Sequence, residues 1–276
     1  MIYPQDFHNQ IICSDCKNVA LSIPDNQIDL IVTSPPYAEK RKKTYGGIPA
    51  PDYAQWLFDL SVEFLRILKP SGSLVVNIKE GASENTRELY VLEYLLKMAK
   101  QFLWIETFIW VKGNPFPTGS KKRLKDGFEY CFQFCKIKQY KFFPEKCLVK
   151  STSKYLESEK LRKDRGKFSV TNGSGLSMSK RCGTNEFVRP SNVMVFPNSC
   201  LNIPHSAAFP LELPEFFIKL MTEENDSVFD PFMGSGTTAI ACQRNHRIWI
   251  GSDIHQENVN FAIKRISSER SFDIFK

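Results

Sequence analysis

The stretch that most constrains the fold is Ser227-Val-Phe-Asp-Pro-Phe-Met-Gly-Ser-Gly-Thr-Thr238. Ser227 to Phe229 reads as a short buried strand. Asp230-Pro231 ends it, because proline lacks the N–H that a strand ladder needs. Gly234 and Gly236 then form a loop, and Thr237 or Thr238 is the expected N-cap of a helix through Ala239-Ile-Ala-Cys242. A second strand follows at Arg247-Ile-Trp-Ile-Gly251, with Asp253 just past its end. Strand, glycine turn, helix and strand make the βαβ unit of nucleotide-binding sheets, where glycine lets a ligand approach the backbone closely.

Gly234 and Asp253 are 19 positions apart, close to the roughly 20 expected of a carboxylate that holds a ribose diol. The loop departs from the dinucleotide fingerprint G-x-G-x-x-G, since its third glycine position is Ala239, and no phosphate-binding Lys follows. A ligand with a ribose but no pyrophosphate fits better, and S-adenosylmethionine is one. Near the other end, Asp29-Leu-Ile-Val-Thr-Ser-Pro-Pro-Tyr37 runs a strand into a rigid corner. Each proline fixes its own φ and restricts the residue before it, so the carbonyls of the corner point in defined directions. Ser34 adds a hydroxyl acceptor and Tyr37 a flat face. Such a corner grips a planar amino-bearing group like the exocyclic amine of a nucleobase; taken alone, it also reads as a proline-rich turn or docking motif.

Together, Asp-Pro-Phe-x-Gly-Ser-Gly-Thr-Thr and Thr-Ser-Pro-Pro-Tyr resemble the amino-group DNA methyltransferases of restriction–modification systems. The Ser-Pro-Pro-Tyr segment precedes the glycine loop, which resembles the circularly permuted β class. Gly72 after Leu68-Lys-Pro70, the Asn77 strand, Trp110-Val-Lys112, Phe128-Glu129-Tyr130 and His205-Ser-Ala-Ala-Phe-Pro210 also look like family segments. The resemblance covers nearly the whole chain except roughly residues 140–190. It implies an α/β, Rossmann-like S-adenosylmethionine-dependent fold: a circularly permuted mixed sheet with helices on both faces, plus a loop-rich basic insertion. The implied activity is methyl transfer to the exocyclic N4 of a cytosine flipped from duplex DNA. Family members acting on adenine N6 typically place an acid where Ser34 stands, and N4 enzymes place Ser. Attack at cytosine C5 needs a Pro-Cys pair, and none of the eight cysteines follows a proline. The alternatives are N6-adenine transfer on the same scaffold, an RNA or protein-amide substrate, and a non-catalytic DNA-binding module.

Carried over by resemblance, Ser34, Pro35, Pro36 and Tyr37 are the catalytic residues. Ser34 and the Pro35 carbonyl accept the amine hydrogens, and Tyr37 stacks on the base. Asp230, Pro231, Phe232, Gly234, Ser235 and Gly236 form the methionine-side loop, and Asp253 the ribose-binding acid. Asp15 approaches adenine or is simply a turn acid. Phe209, with Pro210, lines the methionine pocket or belongs to the core. His205 is left outside the catalytic set, and no metal is expected, since Cys13-Ser-Asp-Cys16 finds no second ligand pair. A homodimer is expected by resemblance, as is a cognate restriction endonuclease acting on the same site.

The charge of +7 is uneven. Between Lys112 and Pro190 stand 19 Lys and Arg against 7 Asp and Glu, a balance of +12; the remainder holds 18 against 23, a balance of −5. One basic segment on a neutral-to-acidic body suggests a polyanion or a solvated surface. Candidate DNA contacts are Lys40, Arg41, Lys42 and Lys43 beside the tetrad, with Gly46-Gly47 as a hinge, and Lys121, Lys122, Arg123, Arg162, Lys163, Arg165, Lys180 and Arg181. The expected division is a catalytic half over residues 1–112, a basic target-recognition region over 113–190 and a cofactor half over 191–276. No apolar run approaches the ~18 residues needed to cross a bilayer, and the N-terminus lacks signal-peptide character, so a bacterial or archaeal cytoplasm is expected, in association with the nucleoid. Strands are expected over 11–14, 28–33, 74–78, 104–111 and 130–137, and helices over 53–68, 89–100, 213–221 and 255–266, the first ending at Lys69-Pro-Ser-Gly72, a stop-and-turn signal, with parallel pairing from the alternation.

Overall fold

The computed structural model describes residues 3–38, 47–115, 117, 119–151, 187–197 and 209–273. Two compact units emerge, Pro144–Ser191 and the rest of the chain. The larger is built on an eight-stranded sheet. Its strands are β1 (Gln10–Cys13), β2 (Ile28–Thr33), β3 (Leu68–Ile78), β6 (Leu103–Lys112), β7 (Phe128–Cys135), β10 (Val193–Phe196), β11 (Ser227–Asp230) and β12 (Ile248–Asp253). The helices are α1 (Cys16–Leu21), α2 (Ala50–Ile67), α3 (Tyr90–Gln101), α4 (Glu212–Met221), α5 (Thr237–Arg244) and α6 (Gln256–Asp273). A hairpin, β4 (Ala82–Ser83) with β5 (Thr86–Arg87), stands apart, and the smaller unit contains a two-stranded ribbon, β8 (Val149–Lys150) with β9 (Phe187–Val188).

The strand order is β1-β12-β11-β2-β3-β7-β6-β10. All pairings are parallel except those of β7, which runs antiparallel to both β3 and β6. The parallel pairing expected from the alternation holds for every neighbouring pair but those of β7: β6 returns through β7 without a crossover helix, and antiparallel neighbours need none. The mixed sheet with helices on both faces agrees with the expected fold class. From β2 the chain moves to β3 on one side, and from β11 to β12 on the other. The order thus reverses between β2 and β11, a switch point at whose carboxyl edge ligands of open α/β sheets bind.

Both faces are packed, so the central strands are apolar almost throughout; every residue of β2 is buried. Tyr53, Leu57, Leu60 and Phe64 on α2 and Tyr90, Tyr94 and Met98 on α3 recur at helical spacing and seal one face. On the other face, Phe217 of α4 meets Phe108 of β6 at 5.2 Å between ring centroids.

Three expectations change in detail. Lys69-Pro-Ser-Gly72 is not a turn: β3 begins at Leu68, and its five-residue step to Ser73 lies against the two-residue step from Ile28 to Leu30. Pro70 has no N–H for the ladder, and Gly72 passes so close that an added Cβ would lie 2.7 Å from the Asp29 carbonyl. Strand β12 runs through Asp253 rather than stopping before it. Neither threonine caps α5; the N-cap is Gly236 at φ 82°, because both hydroxyls are engaged elsewhere.

Candidate active site

The two motifs leave the carboxyl ends of adjacent strands, and a hydrogen bond ties them together. Thr33 Oγ1, one residue before the tetrad, donates to Asp230 Oδ1 at 2.8 Å, across 197 positions of sequence. Thr238 Oγ1 donates to the other oxygen at 2.5 Å, and the Phe232 amide to Oδ1 at 3.1 Å. Burial pushes the Asp230 carboxyl up to about 6, against the pull of these donors, with nearby Asp253 adding to the rise. The Asp230 side chain faces the protein interior, where it clamps the start of one motif to the loop of the other.

The corner itself is held from three directions. Tyr53 Oη, from α2, donates to the Pro36 carbonyl at 2.8 Å, so that acceptor has a remote donor. Tyr37 Oη donates to Glu129 Oε2 at 2.6 Å. Lys112 Nζ reaches Glu129 Oε1, also at 2.6 Å, with side chains only 15% and 5% exposed. Burial first, then the Glu129 charge, hold the Tyr37 phenol far above its ordinary range, while the nearby Ser34 hydroxyl pulls it down. Glu129 and Lys112 stand on antiparallel neighbours β7 and β6, where the register places Trp110 opposite Glu129.

Beside the corner opens a cleft of about 280 Å³. Pro36 and Tyr37 line it together with Asp15, Pro231, Phe232 and Asp253 from the expected set. Parallel pairing of Cys13 with Asp253 brings Asp15, two residues past β1, to the same edge. Asp253 is fixed by the His255 amide and Asn258 Nδ2 on Oδ1, at 2.9 and 3.0 Å. Asp15 caps α1 by accepting from the Lys17 amide at 2.8 Å. Gly234, Ser235 and Gly236 lie behind the wall, in the turn: Ser235 is buried and Arg265 of α6 donates to it at 3.2 Å. Phe209 is half-buried just ahead of α4 and is not on the wall.

Sequence reasoning missed several wall residues. Trp56 belongs to the wall as well as to the apolar stripe of α2, and its ring lies 6.1 Å from that of Phe232. Lys17, Asp59 and Ile254 also line the cleft. Glu129 and Lys112 were noted only as family-like segments. Of the candidate DNA contacts, Lys121 and Lys122 are exposed, whereas Arg123 is half-buried and pairs with Asp126 at 2.9 Å, which also meets Arg87 at 2.7 Å and Lys79 at 3.4 Å. Lys40, Arg41, Lys42, Lys43, Arg162, Lys163, Arg165, Lys180, Arg181 and His205 lie outside the described residues. No described helix is long and apolar enough to cross a membrane.

The chain is 31% identical to the type II methyltransferase M.PvuII of Proteus hauseri, over 95% of this chain and 86% of that one. Its fold is similar to that of a solved PvuII DNA methyltransferase described as cytosine-N4-specific, at TM-score 0.70 and 24% identity, covering 96% of this chain and 94% of that one. It is also similar to a DNA modification methylase of Thermus thermophilus, described as putative, solved with S-adenosyl-L-methionine, at TM-score 0.63 and 24% identity over 94% and 93% of the two chains. Residues 28–264 match the N6/N4 methyltransferase family, described as DNA methylase, and this chain belongs to that family.

Proposed function

We propose that this DNA methylase transfers a methyl group from S-adenosylmethionine to the exocyclic N4 of a cytosine flipped out of duplex DNA. One observation carries the reading: Pro36 and Tyr37 of the rigid corner line the same cleft as Asp253. The donor set also fits. Among the described residues, three carboxylates, Asp15, Asp59 and Asp253, face the cleft against one cation, Lys17. That balance suits a ligand carrying a sulfonium, an ammonium and ribose hydroxyls, and it would repel a pyrophosphate. Asp253 would accept from the ribose hydroxyls, while Trp56, Phe232 and Ile254 would supply flat and apolar walls for the adenine.

The cofactor supplies an electrophilic methyl carbon. The protein's task is the amine, whose lone pair is delocalised into the ring and is therefore a poor nucleophile. Ser34 and the Pro35 carbonyl accept the two amine hydrogens and draw the nitrogen toward tetrahedral geometry as it turns positive. Acceptors fixed before the reaction need no reorganisation during it, and the stiffness comes from the two prolines and the Tyr53 bond. The Tyr37 ring holds the base once it leaves the stack. Serine at the first position favours cytosine N4 over adenine N6, the position named in the description of the similar PvuII enzyme.

The basic region over 113–190 is the assigned target reader, in which Arg162, Lys163, Arg165, Lys180 and Arg181 meet phosphate. A cytoplasmic setting, a homodimer and a cognate endonuclease at the same site complete the reading. The test is transfer of labelled methyl to duplex DNA followed by nucleoside analysis. Label in N4-methylcytosine is expected, and label only in N6-methyladenine overturns the assignment. Ser34→Ala should lower transfer by about 10²-fold or more while cofactor affinity stays within about twofold; full activity in that variant removes Ser34 from its role.

A further inference from the structure

We infer that Leu124, in the loop joining β6 to β7, enters the duplex as the target base is extruded and fills the space that the base leaves in the stack. The inference deepens the proposed function and rests on it. It starts from Ser120-Lys-Lys-Arg-Leu-Lys-Asp126, where one large apolar side chain stands among four cations. A lone exposed leucine is ordinary on a protein surface, so its setting decides. Leu124 is 90% exposed, more than any other large apolar side chain among the described residues. The segment that carries it is pinned at both ends. At one end Ser120 Oγ donates to Asn85 Oδ1 of the β4–β5 hairpin and accepts from the Lys122 amide. At the other, Asp126 gathers Arg87 at 2.7 Å, Arg123 at 2.9 Å and Lys79 at 3.4 Å. The Lys112 amide then donates to the Gly127 carbonyl at 2.8 Å and closes the loop onto β6. Arg123 is thus turned inward as an anchor, while Lys121, Lys122, Leu124 and Lys125 remain exposed.

The loop stands at the edge where the chemistry takes place. Strand β7 runs against β3 with Tyr130 opposite Ile78, so its first residues lie at the carboxyl edge of the sheet, from which the corner leaves β2. Glu129, at that end of β7, accepts from Tyr37 Oη at 2.6 Å. Leu124 precedes Glu129 by five positions, which bounds their separation to about 18 Å. A duplex presents phosphates outside and base faces within. Ammonium groups flanking an apolar side chain match that order: Lys121, Lys122 and Lys125 meet phosphate, and the leucine meets the faces that extrusion uncovers. An apolar wedge between base steps offsets lost stacking, and extrusion is the step whose cost the enzyme must meet. Because the anchors hold the segment before DNA arrives, little further ordering is needed on binding. Leu124 touches neither the methyl donor nor the reacting amine in this account, so its role is positioning.

The distinguishing variant is Leu124→Ala, which removes the wedge from a side chain too exposed to matter for folding. The measurement is single-turnover methyl transfer by the full chain, with S-adenosylmethionine, to two duplexes that carry its own methylation site. In one the target cytosine is paired with dG; in the other it opposes dA and leaves the stack more readily. Leu124→Ala should slow transfer to the paired duplex by about 10-fold or more relative to wild type, and to the mismatched duplex by about threefold or less. Leu124→Met, apolar and of similar volume, should stay within about twofold of wild type on both. Equal slowing on the two duplexes would make Leu124 a plain binding or structural contact and overturns the inference. So does an alanine variant that is not slowed at all, the result expected if the side chain serves a protein partner instead. A wild-type protein that methylates neither duplex overturns the proposed function itself, a result distinct from the other two.

Discussion

Asp230 shows how one side chain can assemble a site without lining it. Its carboxylate joins Thr33, at the threshold of the Ser-Pro-Pro-Tyr corner, to Thr238 and the Phe232 amide in the glycine loop. Burial raises its carboxyl from 3.8 to about 6. The folded protein therefore holds this proton more tightly than the unfolded chain. The resulting stability is fully present below about pH 4 and is lost as pH rises through about 6, up to about 3 kcal/mol for a shift of this size. Asp230→Asn mimics the protonated form and should remove that slope. Urea unfolding of both proteins across pH 4 to 7 checks the sign: the wild type should lose stability relative to the variant as pH rises. A difference that stays flat, or grows the other way, contradicts the burial account.

Among the elements, the turn between β11 and α5 tolerates little change. Gly236 adopts φ 82°, and an added Cβ would lie 3.1 Å from Ile266 Cδ1 and 3.2 Å from Ala262 Cβ on α6. Gly236→Ala should cost about 1–2 kcal/mol from the left-handed backbone alone, read as a lower urea midpoint with weaker cofactor binding. Retention of wild-type stability would mean that the turn can rearrange. The same turn marks what was legible in the sequence. Glycine and proline spell local geometry, so the strand–loop–helix around Asp230 and the corner after Thr33 could be read in place. The run over residues 28–33 likewise read as a strand, and every residue of it proves buried. Thr237 and Thr238 were misread as caps because a hydroxyl takes whichever partner is nearer: Thr238 finds Asp230 and Thr237 finds Arg265, both brought into range by the fold. Strand direction was hidden as well: the pattern of β7 is the same whether it runs with its neighbours or against them. Strand β10 has only four residues beside a polar segment, too few to show a period. The cleft residue Trp56 and the Glu129–Lys112 pair behind Tyr37 were missed for a common reason, since each comes from a different element and only packing and register bring them to the corner.

At the scale of the whole molecule, the permuted order of motifs leaves the site intact because the sheet, not the chain, determines neighbours. Strands β2 and β11 begin 199 positions apart yet lie side by side, with Val228 opposite Leu30 and Phe229 opposite Ile31. The divergence of the strand order there opens the cleft that Tyr37 and Asp253 share. In the proposed reading, an acidic cleft in the larger unit and a basic stretch elsewhere in the chain divide the work between a cationic cofactor and an anionic duplex. The most direct test is base-resolution mapping of modified bases in DNA from cells that express this chain, beside cells that express its Ser34→Ala variant. N4-methylcytosine at every copy of one short sequence, absent with the variant, is the predicted outcome. Methyl groups on adenine, or none above background, would contradict it.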